Sequence, residues 1–160
     1  MLTEVKVGTA AKGVPVVINS HNPQVDEYTA YVGTDNHAAG LMMGQYLAEH
    51  AKQARRTAQH PLRAIEVVGV MGTPAVDERY NGLREYLEGH REVEITAVAQ
   101  ADWKYEKARY LTDSLLQVLP DIDIIVAQSD IMAFGAYEAG KARFPEKDFH
   151  ILGVDALSGK

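Results

Sequence analysis

IDIIVAQSDIMAFGAYEAGK, residues 122–141, changes character halfway along. It begins with a short apolar run, Ile122 to Ala127, rich in β-branched residues. Such a run is the pattern of a strand buried on both faces, as in a parallel sheet. The chain then turns polar at Gln128, Ser129 and Asp130. Ile131, Phe134, Tyr137 and Ala142 follow at helical spacing, so an apolar helix face is expected there. Ser129 or Asp130 can cap that helix, because a short side-chain oxygen accepts from the free N–H groups of the first turn. The stretch is therefore a strand, a tight polar loop and a helix.

Other apolar runs end the same way: Ala64–Met71 into Gly72-Thr73-Pro74, Ile95–Ala99 into Asp102-Trp103, and His150–Val154 into Asp155. Helices are predicted around 76–88, 105–119 and 131–143 between these strands. The alternation argues for βαβ units, a mostly parallel sheet and an α/β fold with right-handed crossovers. A sheet order of 2-1-3-4 would place strands 64–71 and 122–127 side by side. Polar residues at the carboxyl ends of such strands are where open α/β sheets bind ligands. Upstream, residues 1–13 read as the end of a helix stopped by Gly13. Val14–Ile18 and Tyr28–Gly33 read as short strands flanking a polar loop. Thr34-Asp35-Asn36 caps a long helix over 37–52, with Leu41, Met42, Tyr46 and Leu47 apolar and both of its methionines filling core.

Composition narrows the function classes. The 160 residues are 46% hydrophobic and 24% charged, ordinary for a globular domain. Acids outnumber bases 22 to 16, and the densest basic stretch, Lys52–Arg63, is too sparse for a nucleic-acid stripe. With no cysteine, disulfides, thiolate metal sites and cysteine nucleophiles are excluded. No run approaches the ~18 apolar residues of a membrane helix, and residues 1–12 do not form a signal peptide. The six histidines show no metal-ligand spacing. No serine elbow, P-loop or dinucleotide fingerprint occurs. Neither a catalytic constellation nor a cofactor is expected.

The candidate ligand residues lie at the strand ends. Gly72-Thr-Pro-Ala-Val-Asp-Glu-Arg-Tyr-Asn-Gly82 opens a helix and could cradle an anion, although it lacks a phosphate motif. Arg79 near that helix start is disfavoured by the dipole as a mere surface cation, which points to a partner. Asp155 reads either as a turn residue or as a site carboxylate, Trp103 either as packing or as a stacking surface. Asp35 reads as an N-cap.

Taken in order, Gly13-Val-Pro-Val-Val-Ile18, Tyr31-Val-Gly-Thr-Asp-Asn36, Gly72-Thr-Pro-Ala75 with Glu78-Arg-Tyr-Asn-Gly82, Ala101-Asp-Trp103, Val126-Ala-Gln-Ser-Asp-Ile-Met-Ala-Phe-Gly-Ala136 and Ile151-Leu-Gly-Val-Asp-Ala156 resemble the periplasmic sugar-binding proteins of the ribose-binding type. These share their fold with the effector domains of LacI-type repressors. The resemblance runs from Lys12 to Ser158. It implies a clamp of two three-layer α/β sandwich lobes with a small ligand between them. Residues 1–36 match the end of the first lobe and the first crossing, with Thr34, Asp35 and Asn36 at the hinge. Residues 37–160 match most of the second lobe, so the chain resembles an excised piece.

Carried over residue by residue, Arg79 matches a cleft arginine that binds sugar oxygens. Trp103 matches an aromatic that stacks on the sugar face, and Asp155 a carboxylate that accepts from hydroxyls. Ser129 stands where the family often has asparagine. Asn19, Ser20 and His21 stand where a first-lobe Asp-Arg pair is common, so the ligand is expected to be sugar-like rather than a particular named sugar. The implied roles are the receptor of a sugar ABC transporter, the extracytoplasmic sensor of a membrane histidine kinase, or a repressor's effector domain. The first two place the protein in the periplasm or outside the cell, the third in the cytoplasm. The strands at 14–18 and 28–33 would lack sheet neighbours, so the chain is expected to self-associate as a homodimer.

Overall fold

The computed structural model describes residues 13–19 and 28–157. The helix end expected over 1–12 and the loop over 20–27 lie outside the described residues. Gly13 itself has φ 73, the left-handed geometry expected of a helix stop.

Two sheets are present among the described residues. Strands β1 (Val17–Asn19) and β2 (Ala30–Val32) pair in parallel as a separate two-stranded sheet. Helix α1 (Asn36–Gln53) follows, then β3 (Leu62–Val68), α2 (Pro74–Leu87), β4 (Val93–Gln100), α3 (Tyr105–Val118), β5 (Ile124–Ala127), α4 (Asp130–Arg143) and β6 (His150–Leu152). The four later strands form one parallel sheet in the order β4-β3-β5-β6. This is the α/β arrangement and the strand order expected from the sequence, with β3 and β5 adjacent.

Period-two burial sorts the sheet into two cores. Ala64, Ile124 and Val126 face α1 and α2, packing with Met43, Leu47, Ala51 and Leu83. Ile65, Val67, Ile125 and Ala127 face α3 and α4, packing with Ala108, Leu116, Met132 and Ala136. Every residue of β5 is buried. Burying one isoleucine or valine contributes roughly 1.5–3 kcal/mol, against about 1 for a ladder hydrogen bond, so the four-residue β5 is held mainly by its side chains.

Two details depart from the expected pattern. Ile131, Phe134 and Tyr137 face outward, 43%, 48% and 45% exposed. The buried face of α4 is instead Met132, Gly135, Ala136, Ala139 and Gly140, because α4 lies too close to α3 and to Phe149 for larger side chains. In α1, Met43 fills the core at 3% exposure while Met42 is 69% exposed. The caps follow the sequence: Asp35 accepts from the Ala38 N–H at 2.8 Å, and Ser129 accepts from the Met132 N–H at 3.4 Å.

Candidate functional site

The carboxyl ends of β3, β4, β5 and β6 bring several polar groups together. Arg79, on the second turn of α2, is 7% exposed. Its Nε donates to Asn36 Oδ1 at 2.9 Å, and its Nη1 donates to the Gln128 carbonyl. Its Nη2 stands 3.8 Å from Asp155 Oδ1. The guanidinium carbon lies 5.8 Å from the centre of the Trp103 ring, within cation–π range. A buried cation here is held by two neutral acceptors and has only a loose, half-exposed carboxylate nearby. Desolvation accordingly lowers the pKa of Arg79, and Asp155 opposes this only in part.

Backbone strain concentrates at the same place. Asp102 and Trp103 have φ of 54° and 62°, Asp155 and Ala156 of 107° and 53°. Non-glycine residues in this region cost free energy and cluster where geometry serves a site. Asp155 is also crowded electrostatically: burial raises its pKa, Asp130 adds to this, and Arg79 works against both. Asp130 fixes the loop by accepting from the Leu157 N–H at 2.6 Å, while its own N–H donates to the Val154 carbonyl at 2.8 Å.

The structure therefore joins Arg79, Trp103 and Asp155, three of the residues singled out from sequence. Ser129 is buried beside them, with one lone pair of its oxygen engaged as a helix cap, leaving the hydroxyl proton and a second lone pair to offer. Asn19 is exposed at the end of β1 in the other sheet. Ser20 and His21 lie outside the described residues. Of the hinge residues, Thr34 and Asp35 sit in the link between β2 and α1, whereas Asn36 is buried against Arg79. The loop before α2 is not built as an anion cradle, because Asp77 Oδ1 already accepts from the Gly72 N–H at 3.0 Å.

Residues 7–159 match the family described as periplasmic binding protein domain. The chain belongs to this family. Among curated relatives of this periplasmic binding protein domain, the ribose import binding protein of Haemophilus influenzae is 29% identical over 144 residues, 90% of this chain and 46% of the relative. The ribose operon repressor of Halalkalibacterium halodurans is 31% identical over 137 residues, 83% of this chain and 38% of that protein. The chain thus spans about half the length of the curated relatives it matches, or less. The fructose-binding periplasmic domain of a hybrid two-component system superposes with a TM-score of 0.87 at 31% identity, covering 99% of this chain and 51% of that one. A Mycobacterium smegmatis protein in complex with β-D-fucofuranose gives 0.82 at 26% identity, covering 96% and 51%.

Three residues of this periplasmic binding protein domain were not singled out from sequence for the parts they play at the site. Sequence alone marks Asn36 only as hinge, Gln128 only as loop and Gly69 not at all. Gly69 is needed for close approach: a Cβ there would lie 2.1 Å from Trp103 Cε2, so the indole rests on bare backbone. Gly69→Ala is expected to displace the indole toward water and to cost about 1–3 kcal/mol, the usual range for overpacking. Trp103 is the only tryptophan, so a red-shifted emission would report the displacement directly. Unchanged emission and melting would show that the ring does not depend on position 69.

Proposed function

We propose that this chain supplies most of one lobe of a two-lobed clamp that binds a small, neutral, sugar-like ligand without chemistry. In this division residues 1–36 complete the first lobe and reach the crossing, and residues 37–160 form the second lobe. The reading is carried by Arg79: a buried guanidinium steered by neutral acceptors, with Nη2 left beside Asp155 and the guanidinium carbon within cation–π range of Trp103. A hydroxyl can accept from Nη2 while donating to Asp155, and the apolar C–H face of a sugar ring suits the indole. An anionic ligand would meet both Asp155 and Asp130.

In the intact protein the reading implies a ligand-receptor role outside the cytoplasm for a sugar ABC transporter, supported by the ribose import relatives. A second reading, the extracytoplasmic sensor of a hybrid histidine kinase, is supported by the superposition on the fructose-binding sensor domain. The repressor relative supports a cytoplasmic effector domain as a third. Val17 and Val32, 64% and 61% exposed on the short β1–β2 sheet, support self-association of the chain on its own.

Titrating the intact protein with D-ribose, D-fructose and a sugar acid, followed by Trp103 fluorescence and calorimetry, tests the reading. Saturable binding of a neutral sugar in preference to the acid is expected. Tighter binding of the acid, or none of the neutral sugars at millimolar concentration, would overturn it. Sub-micromolar affinity in the 160-residue chain alone would overturn the division into lobes.

The pH dependence follows from Asp155. Its folded pKa is raised, so the carboxylate is lost at a higher pH than for an ordinary aspartate as acid is added. Affinity should fall with that protonation, and Asp155→Asn should remove this acid limb while weakening binding at neutral pH. A raised carboxyl pKa also opposes folding once pH exceeds the unfolded value, so Asp155→Asn should melt higher than the parent at pH 7. An acid limb that persists in Asp155→Asn would place the titrating group elsewhere.

A further inference from the structure

We propose that Asn36 is a positioning residue: its side-chain oxygen sets the orientation of the Arg79 guanidinium and ties the β2–α1 junction to the binding cleft. The inference rests on the reading of Arg79 as the ligand's hydrogen-bond donor.

Asn36 is the first residue of α1 and is 2% exposed. Its Oδ1 accepts from Arg79 Nε at 2.9 Å, and the Gln128 carbonyl accepts from Nη1. Nε and Nη1 point to different edges of the planar guanidinium, so these two bonds fix both its plane and its rotation. Nη2, beside Asp155, remains as the end that can reach a ligand. A neutral acceptor does this without neutralising the charge, whereas a close carboxylate would compete with the ligand for the cation.

The same helix also fixes the backbone of Arg79. A Cβ on Gly40 of α1 would lie 2.2 Å from the Arg79 carbonyl oxygen, so the two helices meet at main-chain distance at this residue. Asp35 caps α1 one residue before Asn36, and β2 ends only at Val32. Any rotation of the chain at 33–35 is therefore passed to Arg79 through a helix already locked to it. Ligand bound at Nη2 biases the junction in return, since coupling between two sites is reciprocal.

The test compares Asn36→Leu, which is similar in volume and has no acceptor, with Asn36→Asp, which keeps one. Solvent exchange of the Arg79 Nε–H, followed by ¹⁵N NMR, needs no ligand. It should be slow in the parent, about tenfold or more faster in Asn36→Leu, and slow again in Asn36→Asp, the scale of one hydrogen bond to a charged group. Equal exchange in the parent and Asn36→Leu overturns the proposal. If Asn36→Leu fails to fold, Asn36→Ala, which also lacks an acceptor, is read in its place against the same criterion. In the intact protein, D-ribose and D-fructose titrations supply the second arm. Asn36→Leu should weaken the binding sugar about tenfold, and adding it to Arg79→Ala should weaken binding no further. A full effect of Arg79→Ala with none of Asn36→Leu also overturns the proposal. No effect of Arg79→Ala would instead remove the cleft reading, leaving the exchange measurement to decide the tether.

Discussion

Arg84→Met is expected to destabilise the protein by about 3 kcal/mol at neutral pH, the lower part of the range for removing one partner of a buried ion pair. Glu66 sits in the middle of the central strand β3 with no exposed surface. Its Oε2 accepts from Arg84 Nη1 at 2.8 Å, and its Oε1 from Gln128 Nε2 at 3.0 Å. The Arg84 guanidinium carbon lies over the Tyr80 ring, 3.2 Å from its centre, a contact lysine would not reproduce. Even with these partners, burial raises the Glu66 pKa, more than Arg84 and Gln128 lower it.

Without Arg84 the carboxylate is left unpaired in the core. A raised carboxyl pKa leaves stability intact at acidic pH, where both states are protonated, and removes it as pH rises. The deficit of Arg84→Met against the parent should thus be small at low pH and grow toward pH 8. Glu66→Gln in the same background should recover most of the loss, because the buried charge is gone and Gln128 keeps a partner. Urea denaturation across pH measures this, and a deficit independent of pH would show that Glu66 carries no charge in the fold.

The second large effect falls on binding. If the intact protein binds a neutral sugar as proposed, Arg79→Ala should weaken that binding by about 1.5–3 kcal/mol, the weight of a hydrogen bond involving a charged group. It should also lower stability, because Asn36 Oδ1 and the Gln128 carbonyl lose their donor, and each buried orphan costs about 1–3 kcal/mol. Arg79→Lys should rescue little, since one ammonium cannot reach both acceptors and the ligand. Folded protein with parental affinity would take Arg79 out of the cleft.

How much of this could be read from the amino acids differs by residue. β5 and its cap were legible because a wholly buried strand has a compositional signature and a serine cap has a local mechanism. The parallel sheet followed from the same alternation, whereas alternation alone leaves the lateral order of the strands open. The direction of α4 was not legible: hydropathy ranks Ile131, Phe134 and Tyr137 above glycine and alanine, but helix separation admits only the small residues inward. Met42 and Met43 differ by one position, and only packing against β3 chooses between them. Arg79 stood out because its place on the helix is unfavourable, yet its partner Asn36 lies 43 residues away, beyond any local pattern. Glu66 carried a signal, an acid inside an apolar strand, that points to a buried partner once noticed.

The central strand has a further consequence, for synthesis. β3 pairs with β4 on one side, but its other neighbour, β5, begins only at Ile124. A growing chain therefore leaves both edges of β3 bare until β4 has left the ribosome, and the edge that β5 covers bare until Ala127 follows. Pairings so distant in sequence close slowly, and open edges are what aggregation and holdase chaperones act upon. Nascent chains stalled within α3 should accordingly be chaperone-bound or insoluble, and release should coincide with the arrival of β5.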